Sequence, residues 1–157
     1  MRRNGWVALF VAITVVLVDQ ISKWASYALP ETGVRLFPGL TLVRLVNTGL
    51  PGSIPAPEFI LLLLVVGALA LCAVGLKKSL RNSCLFDSLG WTAIMGGGLS
   101  NLADRLVRGG VLDIIRIGPI SYINLADLSV MAGIVLLLLK PKIFKPSKHF
   151  SSENANL

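Results

Sequence analysis

The chain has 157 residues, 54% of them hydrophobic and 15% charged, with a mean hydropathy of +0.75; that apolar share is too high for an ordinary soluble domain, so the expected solvent is a bilayer. The net charge of +7 does not indicate nucleic acid as a partner, because the cations do not gather in one solvated patch interleaved with aromatics. The single histidine, His149, stands in a polar tail with no cysteine or carboxylate at zinc-binding spacing, which excludes a zinc protease.

A membrane span needs roughly 20 mainly apolar residues, and four stretches qualify: Trp6 to Ala28, Phe59 to Leu76, Leu85 to Val107, and Asn124 to Leu139 with its polar start. The expected fold is therefore an all-α membrane protein of four transmembrane helices. The first stretch follows Arg2 and Arg3 as a signal peptide would, but it runs on through Asp19 and Lys23 without a small-residue cleavage site, and is expected to be retained. Asp19 and Lys23 are four apart, hence on one face and in the favourable order for an ion pair. A structural pair and a catalytic role both fit them.

Between Leu29 and Glu58, "VRLFPGLTLVRLV" alternates apolar and polar residues before breaking into glycine and proline. Short strands followed by turns are predicted there, forming a small β platform. Extended backbone cannot face lipid, so the platform belongs in the headgroup layer or on helix ends. Cys72 and Cys84 flank the basic loop after the second helix and are read as reduced, apolar filler. In the third helix, Gly96, Gly97 and Gly98 give room for close helix packing; a phosphate loop would need a preceding strand and a following lysine. Asn101, Asp104 and Arg105 share a face at its far end. An Asp104–Arg105 pair that fixes the following loop is expected.

Arg2 and Arg3, then Lys77, Lys78 and Arg81, then Lys140, Lys142, Lys145 and Lys148 mark three segments that four crossings place on one side. Positive residues favour the cytoplasm, so both termini are expected there, with 29–58 and 108–123 facing outward. The chain reads as one domain over 1–146, followed by a disordered cytoplasmic tail over 147–157.

Ionisable residues in membrane segments are rare and mark candidate sites. Asp113, in "GGVLDIIRI", and Asp127, one turn into the fourth helix beside Asn124, are joined by a segment that holds little beyond one turn and can fold back. Taken singly, Asp113 is equally a surface acid at a turn, and Asp127 equally a carboxylate at a helix N-terminus. Burial among branched residues would raise the Asp113 pKa, and two carboxylates in contact would share one proton. Such a pair supports general acid–base hydrolysis.

These residues resemble those of the lipoprotein signal peptidase (signal peptidase II) family. The resemblance rests on "VDQISKW" (Val18 to Trp24), "GGGLSNLADRLVRGGVLDII" (Gly96 to Ile115) and "INLADLSV" (Ile123 to Val130), in order along four helices. It implies an aspartic endopeptidase of the bacterial cytoplasmic (inner) membrane that removes the signal peptide of diacylglyceryl-modified prolipoproteins before the lipidated cysteine. It also implies Asp113 and Asp127 as the catalytic pair, no cofactor or metal, and inhibition by globomycin. Asp19, Lys23, Asn47, Gly49, Asn101, Asp104, Arg105 and Asn124 would support the dyad or hold substrate. The expected partners are lipoprotein precursors and membrane lipid, with the chain a monomer. In "NTGLPGSI" the chain keeps Asn47 and Gly49 but departs from the family pattern at Leu50, Pro51 and Gly52, and its Asp113–Asp127 connection is short; substrate choice is expected to reflect both.

Two other classes compete. A Ser/Lys peptidase using Ser22 or Ser100 is opposed by Asp19, which would keep Lys23 protonated. A non-catalytic lipoprotein-binding homologue or small transporter subunit would be expected to spread its ionisable groups through the membrane depth, whereas here they concentrate at one end, with Asp87 alone opposite.

Overall fold

The computed structural model describes residues 2–49, 56–119 and 121–139. Helix α1 (Arg2–Ala25) ends in a short 3-10 turn over Ser26–Ala28. Strands β1 (Val34–Phe37) and β2 (Leu40–Asn47) follow, then α2 (Glu58–Arg81), α3 (Leu85–Arg108), β3 (Val111–Ile117), β4 (Ser121–Ile123) and α4 (Leu125–Leu138). The molecule is mostly helical with a small antiparallel sheet. Helices α1 and α2 are long and apolar enough to cross a membrane. The 14 residues of α4 would extend about 21 Å, less than a bilayer core.

Helix α3 is the hub against which the other helices pack. Its three successive glycines turn by about 100° per residue, so each meets a different neighbour. A Cβ on Gly96 would come 3.0 Å from Val15 of α1, one on Gly97 would come 2.4 Å from the Ala126 carbonyl of α4, and one on Gly98 would come 3.0 Å from Leu69 of α2. Tight packing is their role here. At its end Gly109 takes a left-handed conformation, φ 70°, accepted readily only by glycine, and turns the chain into β3.

The sheet has the order β1-β2-β3-β4. The predicted strands between Leu29 and Glu58 are present as β1 and β2, but the connection from Asp113 to Asp127 holds more than the one turn expected of it. It forms a hairpin, β3 and β4, that doubles the sheet, and Asp113 lies within β3 rather than at a surface turn. The expected helical protein with a small β platform is present, with the platform larger than the two strands expected between Leu29 and Glu58. Asn47 pairs with Val111 and Leu45 with Asp113, with a bulge between Leu42 and Leu45. Since strand side chains alternate, Asn47, Val111 and Asp113 face the same side. The Leu50, Pro51 and Gly52 departure, the cations from Lys140 onward and the tail over 147–157 lie outside the described residues.

Candidate active site

The site is built where α1, α3 and α4 meet the sheet. At its base is a fully buried cation: Lys23 Nζ lies 2.6 Å from Asp19 Oδ2 and 2.8 Å from Asp104 Oδ2, and donates to Asn101 Oδ1 at 3.1 Å. These three acceptors match its three protons. The expected Asp19–Lys23 pair is therefore present, inside a larger network. The Asp104–Arg105 pair is not. Adjacent helical residues diverge by about 100°, and Asp104 instead pairs with Lys23 and with Arg108, four residues on. Asp104 still fixes the following segment, because its Oδ2 accepts the Leu112 N–H at 3.0 Å at the start of β3.

Asp19 has a second task. Its Oδ1 accepts the Ala126 N–H at 2.8 Å, satisfying one of the orphan donors at the start of α4 from a different helix. Its Oδ2 also accepts the Ser100 hydroxyl at 2.7 Å. With Ser100 donating to a carboxylate and Lys23 saturated by acceptors, the Ser/Lys arrangement lacks both an activated nucleophile and a free amine.

Helix α4 begins with a capping box. The Asn124 Oδ1 accepts the Asp127 N–H at 2.9 Å, and Asp127 Oδ2 accepts the Asn124 N–H at 3.1 Å. The helix-terminus reading of Asp127 thus holds alongside its place in the site. Its other oxygen, Oδ1, accepts from Asn101 Nδ2 at 2.9 Å. Opposite, Asp113 Oδ1 accepts from Asn124 Nδ2 at 3.0 Å and Oδ2 from Asn47 Nδ2 at 3.3 Å. Asn124 therefore ties the two carboxylates together: its side chain donates to one and its backbone to the other. Each carboxylate oxygen has one such donor, and an oxygen has room for a second.

Asp113 is only 2% exposed. Burial, reinforced by the charge of Asp127, pushes its pKa from 3.8 up to about 6, against the hydrogen bonds from Asn47 and Asn124 and the charge of Lys23. Asp127 is half-buried, and both acids open onto one cleft of about 410 Å³. Asn47, Gly49, Asn101 and Arg105 line its polar end, while Leu61, Leu64 and Val65 of α2 and Val130 and Met131 of α4 form its apolar walls. Arg105 is 7% exposed; its Nη2 donates to the Gly49 carbonyl at 2.8 Å, whereas Nη1 has no hydrogen-bond partner among the described residues. Gly49 is held in turn, donating its N–H to Asn47 Oδ1 at 2.9 Å.

The structure thus brings Asn47, Gly49, Asn101, Arg105, Asp113, Asn124 and Asp127 to the cleft or its rim, and sets Asp19, Lys23 and Asp104 behind it. Sequence reasoning missed Arg108 and Gln20. The i, i+4 rule applied to Asp104 would have found Arg108. Gln20, which donates to Ser100 Oγ and Asp104 Oδ1, both at 2.9 Å, carries no spacing signal because its partners are on another helix.

Residues 11–142 match the family model described as signal peptidase (SPase) II. A lipoprotein signal peptidase from Aquifex aeolicus is 34% identical, with 94% of this chain and 92% of that protein covered. One from a Nostoc species is 32% identical, covering 94% and 95%. A bacterial membrane enzyme solved by the in meso method at 2.3 Å resolution superposes with a TM-score of 0.75 at 23% identity, over 90% of this chain and 93% of its own, which speaks for a shared fold. The family match runs from within α1 to beyond α4 and takes in every residue of the cleft described above, and the chain belongs to the signal peptidase II family.

Proposed function

We propose that this membrane peptidase is an aspartic endopeptidase that removes the signal peptide of diacylglyceryl-modified prolipoproteins, cleaving before the lipidated cysteine, with Asp113 and Asp127 as its catalytic pair. The observation that carries the reading is the meeting of two acids from separate elements, β3 and α4, on one cleft and tied through Asn124. In the mechanism the ionised acid takes a proton from a water between them while the neutral acid donates to the scissile carbonyl; the proton then passes to the leaving amine. An Asp113 pKa raised to about 6 keeps a proton on the pair up to about that pH, well above the ordinary carboxylate range.

The cleft's two ends fit a lipidated peptide. Apolar walls on α2 and α4 suit acyl chains, and the donors and acceptors around Asn47, Gly49 and Arg105 suit an extended backbone. The free Nη1 of Arg105 is placed to donate to a substrate carbonyl. A lipid-bearing cysteine sits at the membrane surface, where a sheet capping the helix ends would lie. In this reading all four helices span the bacterial cytoplasmic membrane, both termini are cytoplasmic, 1–146 is one domain ahead of a cytoplasmic tail, and the monomer needs no cofactor. α3 crosses because its buried polar residues face protein, and α4 is the shortest of the four.

Asp113→Asn and Asp127→Asn are each expected to abolish cleavage of a lipidated precursor in detergent or proteoliposomes while the protein still folds. Retained cleavage in either removes the dyad. Loss of cleavage at saturating globomycin is a second expected outcome; unaffected turnover would mean a differently built cleft.

A further inference from the structure

A buried lysine lies behind the dyad, and the hydrogen-bond chemistry around it has a direction. An ammonium only donates, so the group of Asn101 that faces Lys23 must be its carbonyl oxygen, as found at 3.1 Å. The Asn101 amide nitrogen is thereby turned to Asp127 Oδ1, 2.9 Å away. The same Asn101 oxygen accepts from Asn124 Nδ2 at 3.2 Å. That sets the second amide: its other N–H reaches Asp113 Oδ1 at 3.0 Å, and its oxygen is left for the Asp127 N–H at 2.9 Å. Reversing either amide would set oxygen against carboxylate, or N–H against ammonium.

We propose that Lys23 is a positioning residue whose ammonium fixes the polarity of the Asn101–Asn124 amide pair, so that each amide presents an N–H to one carboxylate of the dyad. This deepens, and rests on, the reading of Asp113 and Asp127 as the catalytic pair. Lys23 has no hydrogen bond to either acid and does not itself line the cleft; it reaches the site through Asn101. It is itself locked by Asp19 and Asp104, so the polarity of the site is anchored in the contact of α1 with α3. The charged and titratable groups around the dyad are Asp19 and Lys23 from α1, Asp104, Arg105 and Arg108 from α3, and Tyr122 from β4; the wall from α2 is apolar. Among them Lys23 also lowers the pKa of Asp113 through its charge.

The test is Lys23→Met, assayed for cleavage of a lipidated precursor across pH. Without the cation only the carboxylates and the Asp127 N–H still oppose reversal, so the productive orientation is less firmly held and kcat is expected to fall by about 10²-fold, the scale of a misplaced catalytic group, with KM near wild type. The surviving activity is expected to move to higher pH by roughly half a unit, less than a direct charge contact would give. In a cycle with Asn101→Ala, the double variant is expected to be no slower than the slower single one, because both act on one link. An unshifted pH profile, or two losses that multiply, overturns the proposal. Removing Lys23 leaves Asp19 and Asp104 short of a buried partner, so the charge-balanced Lys23→Met/Asp19→Asn is measured alongside, with thermal unfolding in detergent as the check on folding. If neither folds, Lys23 belongs to the architecture alone and the proposal also fails. Failure of the dyad reading is separately visible, as cleavage retained by Asp113→Asn or Asp127→Asn in the wild-type background.

Discussion

Asp113 is held between opposed influences, and their balance has a sign that can be measured. Burial and the neighbouring Asp127 favour its neutral form, while Asn47, Asn124 and Lys23 favour the charged one; the outcome is a pKa raised from 3.8 to about 6. A carboxyl whose folded pKa is raised contributes stability that is fully present below its unfolded value and is lost as pH climbs through the folded one. Wild-type thermal stability is therefore expected to lose on the order of 2 kcal/mol between about pH 4 and pH 7 on account of this group. Asp113→Asn cannot ionise, and its unfolding curve in detergent should lack that component. Parallel pH dependence in the two proteins would mean that Asp113 titrates normally. This acid is a cost to the fold, retained at a position that faces the cleft, as expected where function sets the residue. Asp19 is the contrasting carboxylate: it accepts from Lys23, Ser100 and the Ala126 N–H, in line with a structural role. Asp19→Asn is expected to lower thermal stability more than turnover, and unchanged stability with lost turnover would reverse that assignment.

Among the elements, α3 shows how backbone spacing controls the chemistry. Asn101 lies one turn beyond Gly97, and Asp127 directly follows Ala126, whose carbonyl lies against Gly97; the gap between α3 and α4 at that glycine sets the reach from Asn101 to Asp127. A Cβ there would stand 2.4 Å from the Ala126 oxygen, and backbone has little freedom to withdraw. Gly97→Ala is expected to cost about 1–3 kcal/mol and to reduce cleavage more than tenfold by separating Asn101 from the acid. Gly75→Ala is the control. Its Cβ would meet the Trp91 ring between α2 and α3, away from the cleft, so stability should fall with turnover per folded molecule kept. Equal turnover losses in both would show that the Gly97 contact has no special link to the dyad. These contacts also explain what could be read in advance. Long apolar runs announced the helices, and a spacing of four announced Asp19 with Lys23. "VLDIIRI" was harder to read, because β3 buries Leu112 and Ile114 on one face and Val111 and Asp113 on the other. It has no clean alternation, and a short branched run bounded by glycines is ambiguous by periodicity alone. Nor does linear spacing reveal that Asn124 meets both Asn101 and Asp113, since those contacts come from helix crossing and strand pairing.

For the molecule as a whole, polarity is divided between its two ends, and that division makes the membrane orientation testable. The two cleft acids, the amides bonded to them and the Lys23 network sit where α1, α3 and α4 meet the sheet. Lys77, Lys78 and Arg81 stand at the far end of α2, beside the start of α3 at Cys84. Cations are retained on the cytoplasmic side of short loops, so the basic α2–α3 corner should face the cytoplasm and the sheet the exterior. The two natural cysteines provide the probe: Cys72 is buried within α2 and Cys84 is partly open at the corner. In intact cells a membrane-impermeant maleimide is expected to leave Cys84 unlabelled, and to react with it once the membrane is opened. An Arg35→Cys variant, on β1, whose four residues are all exposed, should label in intact cells in a background lacking Cys84. Labelling of Cys84 from outside would invert the molecule. It would place the candidate acids at the cytoplasmic surface, on the wrong side for a precursor whose lipidated cysteine lies in the outer leaflet, and the proposed substrate would have to be given up even if the dyad still hydrolysed peptides.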